Sequence, residues 1–483
     1  MKIEGSICMW LPGDKVHRAI PARGDTPREG RGQGAKKAVL CRIARGAGAI
    51  IAFGRPRRGI FRLFLSAIGL SAHVFSDNRS NQGRSTDVRH IAACAIPCSR
   101  HPPLPLITSP ERPRIACLIT NSETGGAQSH VADLLRALRG QADVTLLAGG
   151  DGPLFDLARD LGIPAIRLVE MDNALSPIKA VRALRELTHA LREAAPDVLH
   201  THSAKASALG RIAGKLLGIP VVYTVHGFAF KPAAPWKQRS VARIAEWLLA
   251  PLTSHIICVA EAERAMARKL PIHANRVSVI PNGIADVAPR AQPADAVRRV
   301  VTVMRLAPPK RPDVLTQAFA AAQLPDCELV VAGDGPQRAS LERMASQLAP
   351  GRVRFVGNID NVPALLAGAQ LFMLASDHEG FPISILEAMR AGLPVIASDL
   401  PGILEQLDDG RCGVLVPDND ASAFADALRA LVADAPRRAK AGAAARLRWE
   451  QAYGLESMVR ATWAVYQQVL AGSHQASARV SAS

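Results

Sequence analysis

The chain has 483 residues, 48% hydrophobic and 21% charged, which suits a globular protein long enough for two packed domains. No run of about 18 uncharged apolar residues occurs, so the sequence offers no membrane-spanning helix. The formal net charge of +17 points towards nucleic acid or an anionic membrane, but it is unevenly placed. Residues 1–112 hold 19 Lys and Arg against 7 Asp and Glu, and the rest of the chain holds 40 against 35. The body of the protein is therefore only mildly basic.

The first 112 residues read as a basic extension of low order, because "PARGDTPREGRGQGAKK" is glycine, proline and charge without apolar periodicity. An alternative is a start assigned too far upstream. "GIFRLFLSAIGLSAHVF" is the apolar stretch here; it is too short to span a membrane and too far from the terminus for a signal peptide. His90, Cys94, Cys98 and His101 can all bind metal, but Pro97 interrupts them and the spacing matches no strong zinc pattern. Eight cysteines with no CxxC pair suggest reduced thiols.

From Arg114 the texture changes. Seven short apolar runs follow in order: "RIACLIT", "DVTLLAGG", "AIRLVE", "DVLHTH", "PVVYTVHG", "HIICVAE" and "VSVIPNG". Runs of this length, rich in Val, Ile and Leu, suit parallel strands covered on both faces. Between them lie amphipathic helices such as "GGAQSHVADLLRALRG" and "SPIKAVRALRELTHALREAAPD". After a linker of proline and small residues at 286–298, the alternation restarts with "VVTVMRL", "CELVVAGDG", "VRFVGN", "QLFMLAS", "LPVIASD" and "CGVLVPD". The expected fold class is α/β, two tandem Rossmann-like doubly wound domains facing a cleft. They take residues 113–285 and 299–453, followed by a helix over 454–471 and a disordered tail to 483.

Several candidate residues fall at strand exits, the ligand edge of such sheets. In the second domain "HEGFPISILEAM" places Glu379, Gly380, Phe381 and Pro382 between a strand and a helix, with Glu387 in that helix. Pro382 fits the first helical turn, and the free N–H groups there suit a diphosphate. Glu387 suits ribose hydroxyls and Glu379 sugar hydroxyls; the alternative is two surface glutamates. Arg305 and Lys310 leave the first strand of this domain and can clamp a leaving diphosphate. No carboxylate cluster is positioned for a metal, so these two cations would replace one.

In the first domain Gly125 and Gly126 open a helix after a strand, and Gln128 follows them. "HTHSAK" puts His200 and His202 on one side of a strand, read as a polar strand end with no obvious third metal ligand. His226 stands at another strand exit. "PWKQRSVARIAEWLLAPL" combines Trp236 and Trp247 with Lys237, Arg239 and Arg243, which fits either core packing or an anionic interface.

Taken together, "GGAQSH", "DVLHTHSAKASALGR", "TVHGF", "VIPNG", "RLAPPK", "AGDGP", "VRFVG" and "EGFPISILEAMRAGLPVIASD" resemble the retaining glycosyltransferases of family 4, with the two-domain GT-B fold. The resemblance spans about residues 113–471 and extends to members that build bacterial capsule, exopolysaccharide or O-antigen; "GGAQSH" also resembles phosphatidylinositol mannosyltransferases. It implies transfer of a hexose-type sugar from a UDP- or GDP-sugar to a glycan or polyprenyl-linked acceptor, with retention and without metal or other cofactor. It implies that His226 and Glu379 lie at the reacting sugar. Gly126, Arg305, Lys310, Gly380, Phe381, Pro382 and Glu387 would hold the donor, and Gln128 would face the acceptor. Reduced thiols suggest a cytoplasmic protein, and an acceptor on a lipid carrier would bring it to the inner face of the cell membrane, an anionic surface. Two positions depart from the pattern: Ala285 where Asp is usual, and Ala260 where Ser is usual. A GT-B-like epimerase or phosphorylase is the alternative enzyme. A non-catalytic protein binding through its basic extension is the alternative outside enzymes, and nucleic acid suits it poorly because aromatic residues are nearly absent there.

Overall fold

The computed structural model describes residues 112–172, 176–230 and 236–481. The basic extension, its apolar stretch and its His/Cys cluster lie outside the described residues. The first half runs β1 (Arg114–Ile119), α1 (Gly126–Leu138), β2 (Asp143–Ala148), α2 (Pro153–Asp160), β3 (Ala165–Arg167), α3 (Pro177–Ala194) and β4 (Val198–His202). It continues with α4 (Ala204–Leu217), β5 (Val221–Val225), α5 (Trp236–Leu249), β6 (His255–Cys258), α6 (Glu261–Ala267) and β7 (Val277–Val279). The second half runs β8 (Arg299–Val303), α7 (Pro312–Ala322), β9 (Glu328–Ala332), α8 (Arg338–Leu348), β10 (Val353–Gly357), α9 (Val362–Ala367) and β11 (Leu371–Leu374). Then come α10 (Ile383–Ala391), β12 (Val395–Ser398), α11 (Pro401–Gln406), β13 (Gly413–Val416), α12 (Ala421–Ala433), α13 (Ala435–Ala452) and α14 (Leu455–Ser481).

Each apolar run of the sequence is a strand. The first sheet has the order β3-β2-β1-β4-β5-β6-β7 and the second β10-β9-β8-β11-β12-β13, with every pairing parallel. Strands β4, β5, β6, β11 and β12 are buried at every residue, as strands sandwiched between helical layers must be. Strand order reverses between β1 and β4 and again between β8 and β11. These two switch points are where loops diverge and leave room for a ligand.

The chain crosses between the sheets twice, and the crossings are bonded to each other. Ile284 N–H donates to the Tyr453 carbonyl at 3.1 Å, and Leu455 N–H donates to the Ile284 carbonyl at 3.0 Å. Gly283 is required at this junction, because a Cβ there would lie 2.6 Å from the Gly454 carbonyl oxygen. After the second crossing, α14 returns to the first sheet. Its Met458, Val459, Val465, Tyr466 and Val469 share a core with Val131 and Leu134 of α1. The helix also continues to Ser481, past the boundary read at 471. Gly472 does not stop it, and the Ala, Ser, Gln and Arg that follow tolerate a helix.

Helix α5 is held differently. Only Glu246 and Leu249 of it are buried. Glu246 accepts from the fully buried Arg211 of α4 at 2.8 Å, and the Arg211 guanidinium also lies over the Tyr223 ring, 4.9 Å from its centroid. The anchor of α5 is therefore largely polar. Glu246→Ala leaves a guanidinium buried without its partner and is expected to cost about 3 kcal/mol or more of stability. The double variant Arg211→Met, Glu246→Leu is expected to lose less, as measured by urea unfolding of the three proteins.

Candidate active site

The site begins with two loops at the switch point of the second sheet. Lys310 follows β8 and Ser376 follows β11, and the two form an antiparallel bridge. Arg311 N–H donates to Ala375 O at 2.9 Å, Asp377 N–H donates to Pro309 O at 2.8 Å, and Ser376 Oγ–H donates to Pro309 O at 3.1 Å. This stitching places Lys310 Nζ 2.5 Å from Glu379 Oε1, with both side chains mostly buried. Residues that the sequence assigns separately to diphosphate and sugar are therefore partners here. Arg305 sits exposed on the same edge.

Helix α10 starts one residue later than the sequence suggests. Pro382 is its N-cap, with φ −65° and ψ 123°, instead of a first-turn residue. No side chain caps the helix and no acidic residue lies in its first turn. The first-turn N–H groups therefore face the loop without a side-chain acceptor, an arrangement that favours an anion. The turn is braced from behind. Gln406 Nε2 donates to Pro382 O at 3.0 Å, and the Phe381 ring meets Tyr453 edge-on with centroids 5.3 Å apart.

The first sheet reaches this turn directly. A Cβ on Gly380 would lie 2.2 Å from the carbonyl oxygen of His226, so only glycine lets the turn close against the exit of β5. Asn282, just past β7, donates from Nδ2 to Phe381 O at 2.8 Å. The Ala260 departure also falls on this seam. Ala260 is the N-cap of α6 and has no side chain to accept a hydrogen bond. Glu405 of α11 accepts from Glu261 N–H at 2.7 Å, so the second domain supplies the capping acceptor. The carbonyl of Ala285, the other departure, accepts from Arg390 at 3.0 Å.

On the first-sheet side, Gly126 is exposed and a Cβ there would meet nothing within 4 Å, so the chain's own packing does not require glycine. Gln128 turns its amide onto the carbonyl of Asn121 at 2.9 Å and steadies the loop before α1. The histidines differ from the sequence reading. His200 and His202 are fully buried, not a polar strand end. His200 is clasped by Tyr466 of α14 at 2.6 Å and Thr224 at 2.7 Å. His202 lies against two further histidines, His130 of α1 and His226. Ring nitrogens of His130, His202 and His226 all fall within 4.8 Å of one another, the one metal-capable group among the described residues. His202 Nδ1 is 3.2 Å from His226 Nε2, and His130 Nδ1 is 3.0 Å from Asn282 Oδ1. Burial pushes His130 down to about 4 and His200 and His202 well below the usual histidine range, so all three are neutral at pH 7. His130 was legible only as part of "GGAQSH"; its neighbours come from strands 70 and more residues away.

Glu387 is half-buried on α10. Loss of solvent raises it to about 7, partly opposed by Arg390 and reinforced by Asp133 of α1. It is thus poised between acid and carboxylate near neutral pH, where a small change in surroundings decides its charge.

Comparison with known proteins identifies the family and the fold. Residues 124–287 match the family model "Glycosyltransferase Family 4", and residues 289–448 match "Glycosyl transferases group 1". An Escherichia coli UDP-Gal:alpha-D-GlcNAc-diphosphoundecaprenol alpha-1,3-galactosyltransferase is 32% identical over 311 residues, 60% of this chain and 79% of that protein. The E. coli O-antigen biosynthesis glycosyltransferase WbnH is 26% identical over 307 residues, 63% of this chain and 86% of that protein. Among solved structures, Anabaena HepE in complex with UDP and glucose superposes with a TM-score of 0.64 at 20% identity, covering 74% of this chain and 99% of that one. The chain belongs to glycosyltransferase family 4 and has the GT-B fold.

One prediction concerns Glu387 alone. A carboxyl raised from 4.5 to about 7 in the folded state holds a proton that the unfolded chain has lost. Its contribution to stability is full below pH 4.5 and is lost as pH rises through 7, roughly 3 kcal/mol in all. The difference in unfolding free energy between wild type and Glu387→Gln is expected to fall across this window. A difference that does not change with pH would contradict the assignment.

Proposed function

We propose that this family 4 glycosyltransferase moves a hexose from a UDP-sugar, with GDP as the alternative base, to a lipid-linked glycan acceptor with retention and without a metal ion. The observation that carries the reading is the convergence of Lys310, Glu379 and the uncapped start of α10 on one sheet edge, closed by the first domain at Gly380. A diphosphate at that helix start receives N–H groups from the Gly380–Ile383 turn and positive charge from Lys310 and Arg305. Lys310 then exchanges its carboxylate partner for phosphate oxygens, which frees Glu379 to accept from sugar hydroxyls. Glu387 as carboxylate accepts from the ribose. Gly126 admits the phosphates from the opposite wall, where a side chain would stand in their way. Gln128 borders the acceptor side, and His226 lies beside the sugar.

The bond from the anomeric carbon to the diphosphate oxygen breaks, the acceptor oxygen attacks from the same face, and its proton passes to the departing diphosphate. Two cations and a helix start carry the developing charge in place of a divalent ion. The relatives support the substrate class: the E. coli galactosyltransferase is named for UDP-Gal and a diphosphoundecaprenol acceptor, and WbnH for O-antigen biosynthesis. The pathway proposed is therefore assembly of a cell-surface polysaccharide.

A lipid-linked acceptor requires a membrane surface, and α5 suits one. Core packing does not account for its apolar residues: Trp236 and Val241 are each 69% exposed, and Ile244 and Trp247 are also exposed. Lys237, Arg239 and Arg243 lie among them on the same helix. Aromatic and aliphatic side chains beside basic ones suit the headgroup region of an anionic leaflet. Among the described residues no helix is long and apolar enough to cross a membrane, so we propose peripheral attachment at the cytoplasmic face.

With UDP-hexoses and a polyprenyl-diphosphate glycan, transfer is expected to survive EDTA, and NMR of the product is expected to show the anomeric configuration of the donor. Lys310→Ala is expected to cut kcat/KM by about a hundredfold, as for removal of a charge-stabilising group. Inversion, or inhibition by EDTA reversed by a single metal, would refute the mechanism. In the same preparation, Trp236→Ala with Trp247→Ala is expected to reduce flotation with anionic vesicles; unchanged flotation would refute the membrane face.

A further inference from the structure

Asn282 lies in "VIPNG", just past β7, and is buried, with 4% of its surface exposed. Both ends of its carboxamide are engaged. Nδ2–H donates to Phe381 O, and Oδ1 lies 3.0 Å from His130 Nδ1. The two contacts fix each other. A carbonyl offers no proton, so the NH₂ end must face Phe381 and the Oδ1 end must accept. His130 must then carry its proton on Nδ1 and donate it to Asn282. Turning the amide over would set two oxygens against each other at Phe381, and nothing at His130 would compensate that loss. One orientation satisfies both partners.

This pair bridges parts of the chain that are remote in sequence. His130 and Asn282 are 152 residues apart, and Asn282 and Phe381 are 99 apart. Asn282 is next to Gly283, where the two interdomain crossings meet and where Gly283 N–H donates to Met458 Sδ at 3.1 Å. It is thus held by the hinge, by α1 of the first sheet and by the turn that starts α10.

We infer that His130 and Asn282 act together as positioning residues, setting the Phe381 carbonyl and hence the N–H groups of the Gly380–Ile383 turn in the arrangement that receives the donor diphosphate. The inference rests on the donor-cradle reading above. Neither side chain touches the donor in this scheme. Their effect is to complete the cradle from α1, the interdomain crossing and the turn that starts α10.

The test uses the full chain, with UDP binding by calorimetry and donor KM and kcat by transfer assay. Asn282→Ala and His130→Ala are each expected to weaken UDP binding and raise donor KM by about tenfold, the usual effect of losing a buried hydrogen bond and orphaning its partner. At saturating donor, kcat is expected to fall much less. Because the two act as one unit, the double variant is expected to be no worse than either single one. His130→Asn keeps an N–H donor close to the position of Nδ1 and is expected to restore most of the affinity, which a purely steric role for the ring would not allow. If Asn282→Ala fails to fold, Asn282→Asp is expected to fold and to show the same KM defect, since it retains the acceptor for His130 and lacks the donor for Phe381. Unchanged KM and UDP affinity in these variants, additive effects in the double, or no rescue by His130→Asn would overturn the inference. Failure of the wild type to bind any nucleoside diphosphate would instead overturn the donor-cradle reading beneath it.

Discussion

The structure turns on one close approach. The carbonyl of His226, at the exit of β5, lies where a Cβ of residue 380 would be, 2.2 Å away. Only a glycine there allows the loop after β11 to close against the exit of β5. The same rule repeats one layer back, where a Cβ on Gly402 of α11 would lie 1.6 Å from the Gly380 carbonyl oxygen. A turn confined from both sides has little freedom, so its N–H groups are presented in one direction. Catalysis by charge stabilisation depends on such preorganisation, because dipoles already aimed at the developing charge do not have to reorient during reaction.

Around this contact the protein arranges charge in two contrasting ways. On the second-sheet side the groups are ionic and partly reachable by solvent: Lys310 with Glu379, and Arg305 exposed on the edge. On the first-sheet side three histidines, His130, His200 and His202, are buried and neutral, all held below their usual range by loss of solvent. Neutral rings can donate and accept in a fixed pattern, and Asn282 fixes that pattern at His130. Glu387 stands between the regimes, with a pKa near 7 that a bound ribose or a nearby cation can move. The division suits an enzyme whose donor brings its own negative charge to one wall while the other wall holds geometry.

How much of this was legible in the sequence follows from physical range. Parallel strands buried on both faces must be short and continuously apolar, so "DVLHTH" or "QLFMLAS" could be read directly. Arg305, Lys310, Glu379 and Gly380 stand in the loops that leave such strands, so their place at the carboxyl edge of one sheet could be read from the strand pattern. The pairing of Lys310 with Glu379 was hidden, because 69 residues separate them. The His130–Asn282–Phe381 chain was hidden for the same reason: each residue has an ordinary local setting, and only the fold brings them together. The return of α14 to the first core was equally invisible, since an amphipathic pattern gives the width of an apolar face but not what covers it. Helix α5 shows the reverse, an apolar pattern that the protein leaves exposed while a buried Arg211–Glu246 pair holds the helix down.

The account's central claim is that a nucleoside diphosphate is held where α10 begins, between the two sheets. The most direct measurement is a crystal structure of the full chain with UDP. The account predicts diphosphate oxygens within hydrogen-bond distance of the N–H groups of the Gly380–Ile383 turn and of Lys310 or Arg305, with the ribose at Glu387. UDP bound elsewhere, or with its diphosphate turned away from the start of α10, would contradict it.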